Sequence, residues 1–207
     1  MPRKTGSSQR WRARQERDIY VEQATKAGWR SRAVFKLEQI QAKERLLKPG
    51  VVCVDLGSAP GSWSQLAARL VQPGGRVVAV DLLPMDVVPG VDFLQADFTR
   101  PETVAALKRM LGGAEVDLVM SDMAPNISGN RAMDQPRSLA LLDEAVLFAT
   151  EVLKPGGDLL MKAFQGEGID ALTRELRRHF ATVKTIKPKA SRPESREIYL
   201  LARTYGM

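Results

Sequence analysis

The stretch DLGSAPGSW, residues 55–63, lies between the apolar run VVCV and the segment SQLAARL, which has helical periodicity. An ordinary connection between a strand and a helix needs one glycine at most. This connection contains Gly57, Gly61, a proline and the acidic Asp55. Glycines in such a turn let the backbone pass close beneath a ligand. The stretch therefore predicts a strand, a ligand-binding loop and a helix.

Strand-like and helix-like segments alternate along the rest of the chain. This alternation is typical of an α/β fold with a mostly parallel sheet, in which ligands bind beyond the carboxyl ends of the strands. We predict seven strands, of which the last two form a C-terminal antiparallel hairpin. The predicted strands are 51–55, 76–81, 91–97, 116–122, 158–164, 181–187 and 196–203. The predicted helices are 31–46, 64–70, 101–111, 134–153 and 168–179.

The composition limits the class of protein. The 207 residues, 44% hydrophobic and 27% charged, suit one globular domain with a full core. No apolar run is long enough to span a membrane and the basic start resembles no secretory signal, so we expect a cytoplasmic protein without a membrane partner. Cys53 is the only cysteine and His179 the only histidine. We therefore expect no disulfide and no metal site built from these residue types.

The net charge of +7 is confined to the start of the chain. Residues 1–46 contain 12 lysines and arginines against 5 acidic residues, whereas the remainder contains 19 of each. Trp11, Tyr20 and Trp29 are interleaved with these arginines. A solubilising tail is one interpretation. The aromatic residues favour another, a surface that binds a polyanion.

Acidic residues at two further strand ends indicate the cofactor. Asp81 ends the second predicted strand, where an acid can accept hydrogen bonds from a ribose diol, and Asp97 ends the third, within reach of an adenine edge. The loop has the spacing D-x-G-x-x-P-G instead of the dinucleotide fingerprint G-x-G-x-x-G. A carboxylate at Asp55 repels phosphates but suits a cationic sulfonium. The pattern predicts S-adenosylmethionine, with an NAD-dependent oxidoreductase as the rival interpretation.

Four polar residues, three at predicted strands and one on the helix before them, call for an explanation. Lys162 lies inside LLMKAF, and a desolvated lysine is available as a base. Asp122 follows the fourth predicted strand, Glu197 begins REIYLLA and Lys36 lies on the helix before the sheet. Each alone has an ordinary structural explanation, since lysines extend from strand ends and strand acids face water. Together they predict a catalytic group, beside the long loop 123–133.

The segments SRAVFKL, DLGSAPGSWSQ, SDMAPNISG, LLMKAFQGEG and SRPESREIYLLA resemble the FtsJ-like ribosomal RNA large-subunit methyltransferase E family. The resemblance extends from about residue 17 to residue 199. It implies a Rossmann-like class I S-adenosylmethionine-dependent methyltransferase fold. It also implies methylation of the 2′-hydroxyl of a uridine in 23S ribosomal RNA. Ser58 and Ser62 stand where the family more often has alanine and glycine, a departure that concerns loop detail only.

The same resemblance implies roles for individual residues. Lys162 would take or share the hydroxyl proton, Lys36 would repel its positive charge, and the two acids would orient the lysines. The implied catalytic set is Lys36, Asp122, Lys162 and Glu197. The expected cofactor positions are Gly57, Gly61, Trp63, Asp81, Asp97 and Asp122.

The resemblance also implies an organisation for the chain and a partner. We expect a basic RNA-binding segment at 1–30, a methyltransferase domain at 31–207, and a monomer whose partner is ribosomal RNA or the large ribosomal subunit. Two alternatives remain open besides the oxidoreductase. One is a 2′-O-methyltransferase acting on tRNA or another RNA, and the other is a catalytically silent RNA-binding protein.

Overall fold

A computed structural model describes residues 18–125, 128–192 and 194–206. The first 17 residues of the predicted RNA-binding segment lie outside the described residues. Seven strands form a single sheet. They are β1 (Val52–Leu56), β2 (Arg76–Asp81), β3 (Val91–Gln95), β4 (Val116–Ser121), β5 (Leu153–Phe164), β6 (Phe180–Ile186) and β7 (Glu197–Tyr205).

The strand order is β3-β2-β1-β4-β5-β7-β6. The first five strands are parallel to their neighbours. β7 pairs antiparallel with both β5 and β6, so the last strand of the chain lies between two earlier ones. The prediction of a mostly parallel seven-stranded sheet with a C-terminal antiparallel hairpin is confirmed.

Helices cover both faces of the sheet. Those of the described residues are α1 (Ile19–Lys26), α2 (Val34–Glu44), α3 (Ser62–Leu70), α4 (Pro101–Leu111), α5 (Arg131–Val152) and α6 (Ile169–His179). α2 and α3 pack on one face, and α4, α5 and α6 pack on the other. Successive strand residues point to opposite faces, so Cys53 lies in the core beneath α2 and α3 whereas Val54 lies in the opposite core.

Only β2 has both predicted boundaries, and the other strands differ from the prediction at one or both ends. The structure shows the cause of two of these differences. β3 ends at Gln95 and not at residue 97, because the Asp97 carboxylate accepts hydrogen bonds from the backbone N–H and hydroxyl of Thr99 and so forms a turn. β5 begins at Leu153 and not at residue 158, because Leu153 already pairs with Val116 before an irregularity in the ladder.

Side-chain caps decide where two of the helices begin. α5 begins at Arg131, earlier than the predicted residue 134, since the Asn130 side chain accepts a hydrogen bond from the backbone N–H of Ala132. α1 was not predicted, and Asp18 caps it through the N–H of Tyr20.

The start of α2 also differs from the prediction. The helix begins at Val34, three residues after Ser31, which was predicted to cap it. The Ser31 hydroxyl instead accepts a hydrogen bond from the Ala33 N–H in the turn before the helix. The serine therefore stabilises the turn that leads into α2.

The helices differ in length and in apolar character. Within 18–125, 128–192 and 194–206, none combines the length and the apolar surface that crossing a bilayer requires.

Candidate active site

Parallel pairing brings the carboxyl ends of β1, β2 and β4 together at one end of the sheet. Leu56 pairs with Val80 on one side and with Ser121 on the other. The residues that follow these strand ends, Gly57 and Asp122, therefore lie side by side, next to Asp81 at the end of β2. Parallel α/β sheets bind ligands at this end, beyond the carboxyl ends of the strands.

The two glycines of the first loop are required by its conformation. Gly57 has a φ of +76° and Gly61 a φ of +107°, a region that residues with a Cβ rarely adopt. A Cβ on Gly57 would lie 2.3 Å from the Cγ of Met123, and one on Gly61 would lie 2.8 Å from the Sδ of Met85. The glycines therefore hold the loop against its neighbours at the end of the sheet.

Asp81, the last residue of β2, and Asp97, which follows β3, fix the backbone at the same end of the sheet. Asp81 accepts a hydrogen bond from the Ala59 N–H and another from the Leu83 N–H, both at 2.8 Å. It therefore joins the glycine loop to the loop that follows β2. The hydrogen bonds from Thr99 hold the pKa of the Asp97 carboxyl below its usual range, ahead of a weaker effect from Arg100. Each carboxylate keeps lone pairs that can accept a hydroxyl or an amino group.

Lys162 and Asp122 are in contact at the ends of neighbouring strands. The lysine Nζ donates to the backbone oxygen of Asp122 at 2.5 Å and lies 3.3 Å from its Oδ1. Their side chains are only 10% and 17% exposed. The structure thus brings together the two residues that the sequence placed at matching strand exits.

Lys36 and Glu197 form the second contact. The Lys36 Nζ lies 2.7 Å from one carboxylate oxygen of Glu197 and 2.8 Å from the other. The buried Ser191 hydroxyl also donates to Glu197. Lys36 lies in the first turn of α2, which covers the face of the sheet to which Glu197 points. Both predicted lysines are therefore paired with a predicted acid.

Tyr199, which sequence reasoning missed, connects the two pairs. Its hydroxyl donates to Asp122 Oδ1 at 2.7 Å, while the Lys36 Nζ lies 6.0 Å from the centre of its ring. Burial, followed by the nearby carboxylates of Asp122 and Glu197, raises the pKa of Tyr199 well above its ordinary value, so the hydroxyl keeps its proton. The available signal was a tyrosine two positions from Glu197 and hence on the same face of the strand.

Trp63 lies beneath the loop. The indole is 2% exposed, its N–H donates to the Ala33 oxygen at 2.9 Å, and its ring lies 5.7 Å from the ring of Tyr199. These contacts connect α3 both to the turn before α2 and to Tyr199.

Asp55, the acid that opens the glycine loop, is fully buried. Ser64 donates to one of its carboxylate oxygens at 2.6 Å, and the other oxygen has no hydrogen-bond partner among the described residues. Burial raises the pKa of Asp55 to about 7, with smaller contributions from the charges of Asp122 and Asp81. Asp55 therefore lies buried beneath the loop and not at the loop surface.

The acids at this edge do not form a metal site. In the part of the chain that the structure describes, no group of three or more histidine, cysteine, aspartate or glutamate side chains is arranged to hold an ion.

Comparison with known proteins identifies the family. Residues 29–205 match the family model for FtsJ-like methyltransferases. The chain belongs to this family. The predicted family and the predicted Rossmann-like methyltransferase fold are both confirmed. Methyltransferases of this kind generally use S-adenosylmethionine.

Individual relatives agree with this assignment. The chain is 54% identical over 200 residues to the ribosomal RNA large subunit methyltransferase E of Alkalilimnicola ehrlichii, covering 97% of this chain and 96% of that one. A Plasmodium falciparum crystal structure that carries the provisional name ribosomal RNA methyltransferase superposes with a TM-score of 0.78 at 29% identity, over 86% of this chain and 98% of that one. A Clostridium thermocellum structure shares the fold at 17% identity, with a TM-score of 0.56 over 82% of this chain and 97% of that one.

We predict that Tyr199→Phe slows methyl transfer while leaving the fold intact. The change removes one hydrogen bond to a largely buried carboxylate, and such bonds to charged groups contribute about 1.5–3 kcal/mol. We therefore expect kcat to fall by about tenfold or more, because the Asp122 side chain is no longer held in one orientation. Tyr205→Phe is the matched control, since the Tyr205 hydroxyl donates to the Thr150 oxygen instead. Equal rates for the two variants would contradict the positioning role.

We also predict that Asp55→Asn stabilises the ligand-free protein more at pH 8 than at pH 5. The raised pKa means that the unfolded chain ionises this carboxyl from about pH 4 upward, whereas the folded chain resists ionisation until about pH 7. The wild-type free energy of unfolding therefore falls as the pH rises through that window, and the asparagine variant shows no such fall. Thermal unfolding of both proteins across pH 5–8 measures the difference. A difference that stays constant across this range would contradict the raised pKa.

Proposed function

We propose that this chain catalyses S-adenosylmethionine-dependent methylation of the 2′-hydroxyl of a uridine in the 23S ribosomal RNA of the large subunit. The observation that carries the proposal is the pair of lysine–carboxylate contacts, Lys162 with Asp122 and Lys36 with Glu197, at the ligand-binding edge of a methyltransferase sheet. The name of the 54%-identical relative supports the choice of RNA.

The residues at this edge suit the proposed cofactor. S-adenosylmethionine supplies an electrophilic methyl group on a cationic sulfonium. Three acids, Asp81 at the end of β2, Asp97 after β3 and Asp122 after β4, offer acceptors for hydroxyl and amino groups. A row of carboxylates favours a cationic ligand over a pyrophosphate. With Gly57, Gly61 and the supporting indole of Trp63, these acids are the proposed cofactor-binding residues.

The chain's contribution to the chemistry is orientation and proton handling. A ribose hydroxyl is a weak nucleophile, and holding it in line supplies much of the rate. Lys162 would hold the 2′-oxygen at its Nζ and take or steer the proton. Asp122 fixes the head of Lys162, while Glu197 fixes that of Lys36. The two acids also balance the positive charge that the lysines bring together.

The substrate proposal extends to the start of the chain. The charge surplus before residue 46 and its interleaved aromatic residues support an RNA-binding role for residues 1–30. Residues 31–207 would form the methyltransferase domain. An RNA substrate also gives a reason for a 2′-hydroxyl target, since DNA has no such group. We propose a monomer that acts in the cytoplasm on ribosomal RNA or the large subunit.

We predict that Lys162→Ala binds S-adenosylmethionine and RNA almost normally yet loses nearly all turnover. Loss of an acid–base group typically lowers a rate by about 10²–10⁴, and loss of positioning lowers it further. Lys162→Arg should not restore the rate, because a guanidinium keeps its charge and cannot accept the proton. Single-turnover methyl transfer to 23S ribosomal RNA, measured across pH, is the assay.

The matched control is Lys154→Ala, which removes a lysine at the opposite end of β5 that pairs with Asp117. It should retain the wild-type rate. An arginine variant that works at nearly wild-type rate would show that residue 162 acts as a fixed positive charge and not as a proton acceptor. Mapping the methylated ribose in 23S ribosomal RNA and in tRNA tests the substrate, since methylation confined to tRNA would overturn the proposal.

Deleting residues 1–17 should weaken RNA binding and leave cofactor affinity unchanged. The deletion removes six basic residues and one acidic residue, but no strand of the sheet. Log affinity should then depend less steeply on log salt, by about 0.7 for each phosphate of a single strand that the shortened protein no longer neutralises. Titrations at several salt concentrations give the slope. An unchanged slope would show that the RNA binds elsewhere.

A further inference from the structure

The connection between α1 and α2, residues 27–33, is hydrogen-bonded to side chains of α3. Gln65 accepts a hydrogen bond from the Arg30 N–H at 3.0 Å and donates to the Gly28 oxygen at 3.4 Å. The hydroxyls of Ser31 and Ser62 lie 2.8 Å apart. The connection therefore crosses the start of the helix that follows the glycine loop.

The Arg30 guanidinium reaches further and joins two loops. Its Nη1 donates to the Pro60 oxygen at 3.0 Å and to the Asp86 oxygen at 2.7 Å, and its Nη2 donates to the Val87 oxygen at 2.7 Å. Pro60 belongs to the glycine loop, whereas Asp86 and Val87 belong to residues 82–90, the loop that follows Asp81. One side chain thus binds three carbonyl groups from both loops that flank the proposed cofactor site.

These contacts have consequences for the loops. Three carbonyl oxygens converge on one cation, and without the cation the repulsion between their partial negative charges would favour separation of the two loops. The approach is also close, because a Cβ on Gly61 would lie 2.9 Å from the Arg30 Nη1. Asp81 connects the same loops on its own side, through the N–H groups of Ala59 and Leu83. Arg30 and Asp81 therefore join the loops through opposite charges, one binding carbonyls and the other N–H groups.

We propose that Arg30 is a positioning residue for the cofactor, which sets how tightly S-adenosylmethionine is held by fixing the glycine loop against residues 82–90. This inference rests on the proposed function. Arg30 lies within the basic segment expected to bind RNA, yet three of its five guanidinium N–H donors are taken by backbone carbonyls. The same connection runs directly into α2, so it joins the cofactor loops to the turn that carries Lys36.

Arginine is the residue type that this geometry requires. A guanidinium presents its donors as a rigid, planar fork, and charge-assisted hydrogen bonds are about twice as strong as neutral ones. A lysine offers a point charge that can reach one or two of the three carbonyls. Arg30→Lys should therefore keep part of the cofactor affinity. The difference between the lysine and arginine proteins then measures what the planar guanidinium adds to the positive charge.

The test compares Arg30→Ala, Arg30→Lys and the control Arg69→Ala. Arg69 lies on α3 and stacks 4.2 Å from the Trp29 ring, so its removal takes one positive charge from the same region without touching the two loops. Calorimetry with S-adenosylhomocysteine, in the absence of RNA, measures cofactor affinity. Arg30→Ala should bind about tenfold or more weakly, Arg30→Lys should be intermediate, and Arg69→Ala should match the wild type.

Two further measurements separate positioning from general destabilisation. Methyl transfer by Arg30→Ala should show a raised KM for S-adenosylmethionine with kcat within about threefold of wild type, since the catalytic residues are intact. Guanidinium ion at low millimolar concentration should partly restore cofactor affinity to Arg30→Ala alone. Hydrogen exchange of the ligand-free proteins should show faster exchange in residues 82–90 for Arg30→Ala, a smaller increase for Arg30→Lys and none for Arg69→Ala.

Unchanged S-adenosylhomocysteine affinity in Arg30→Ala would overturn the inference, and reduced RNA affinity in that case would identify Arg30 as an RNA contact. Failure of the wild-type protein to bind S-adenosylhomocysteine would overturn the proposed function and the cofactor role of Arg30 with it. Hydrogen exchange would then still report whether Arg30 holds the two loops together. The two failures are therefore distinguishable.

Discussion

The register of β5 between its two neighbours is the constraint on which the site depends. Parallel pairing places Met161 opposite Ser121, so that Lys162 follows beside Asp122. Antiparallel pairing places Lys162 opposite Tyr199. A shift of one residue in either register would turn Lys162 to the other face of the sheet, away from α2 and its lysine. The aliphatic residues around Lys162, packed into both cores, hold that register.

The second organising feature is the edge where the parallel strands end. The loops after β1, β3 and β4 each carry a residue of the proposed site, Asp81 ends β2, and contacts between loops hold these residues in place. Asp81 and Arg30 join the first two loops, while Tyr199 binds Asp122 from the neighbouring part of the sheet. A site built in this way combines rigid strand ends with loops whose separation depends on a few polar contacts.

Much of the fold could be predicted because local signals were consistent with it. The alternation of strand-like and helix-like segments predicted their order along the chain, and the predicted bounds of α4, residues 101–111, are those observed. Two boundaries failed where the hydrogen bonds of one side chain decided them, at Asn130 and at Asp97. The sequence offers such donors and acceptors at many positions, and it does not say which of them are used.

The sequence by itself determined which residue types stand at the strand ends: an acid at or just after the end of each of three strands, a lysine within an apolar strand and glycines in the first loop. These follow from periodicity, which is a local property of the chain. Only the tertiary structure decided which lysine pairs with which acid and that Tyr199 connects the two pairs. It also decided that Arg30 binds two loops and that Asp55 lies buried beneath one of them. Those contacts join residues up to 161 positions apart. They depend on strand register and on the placement of α2 over the sheet, which no local pattern specifies.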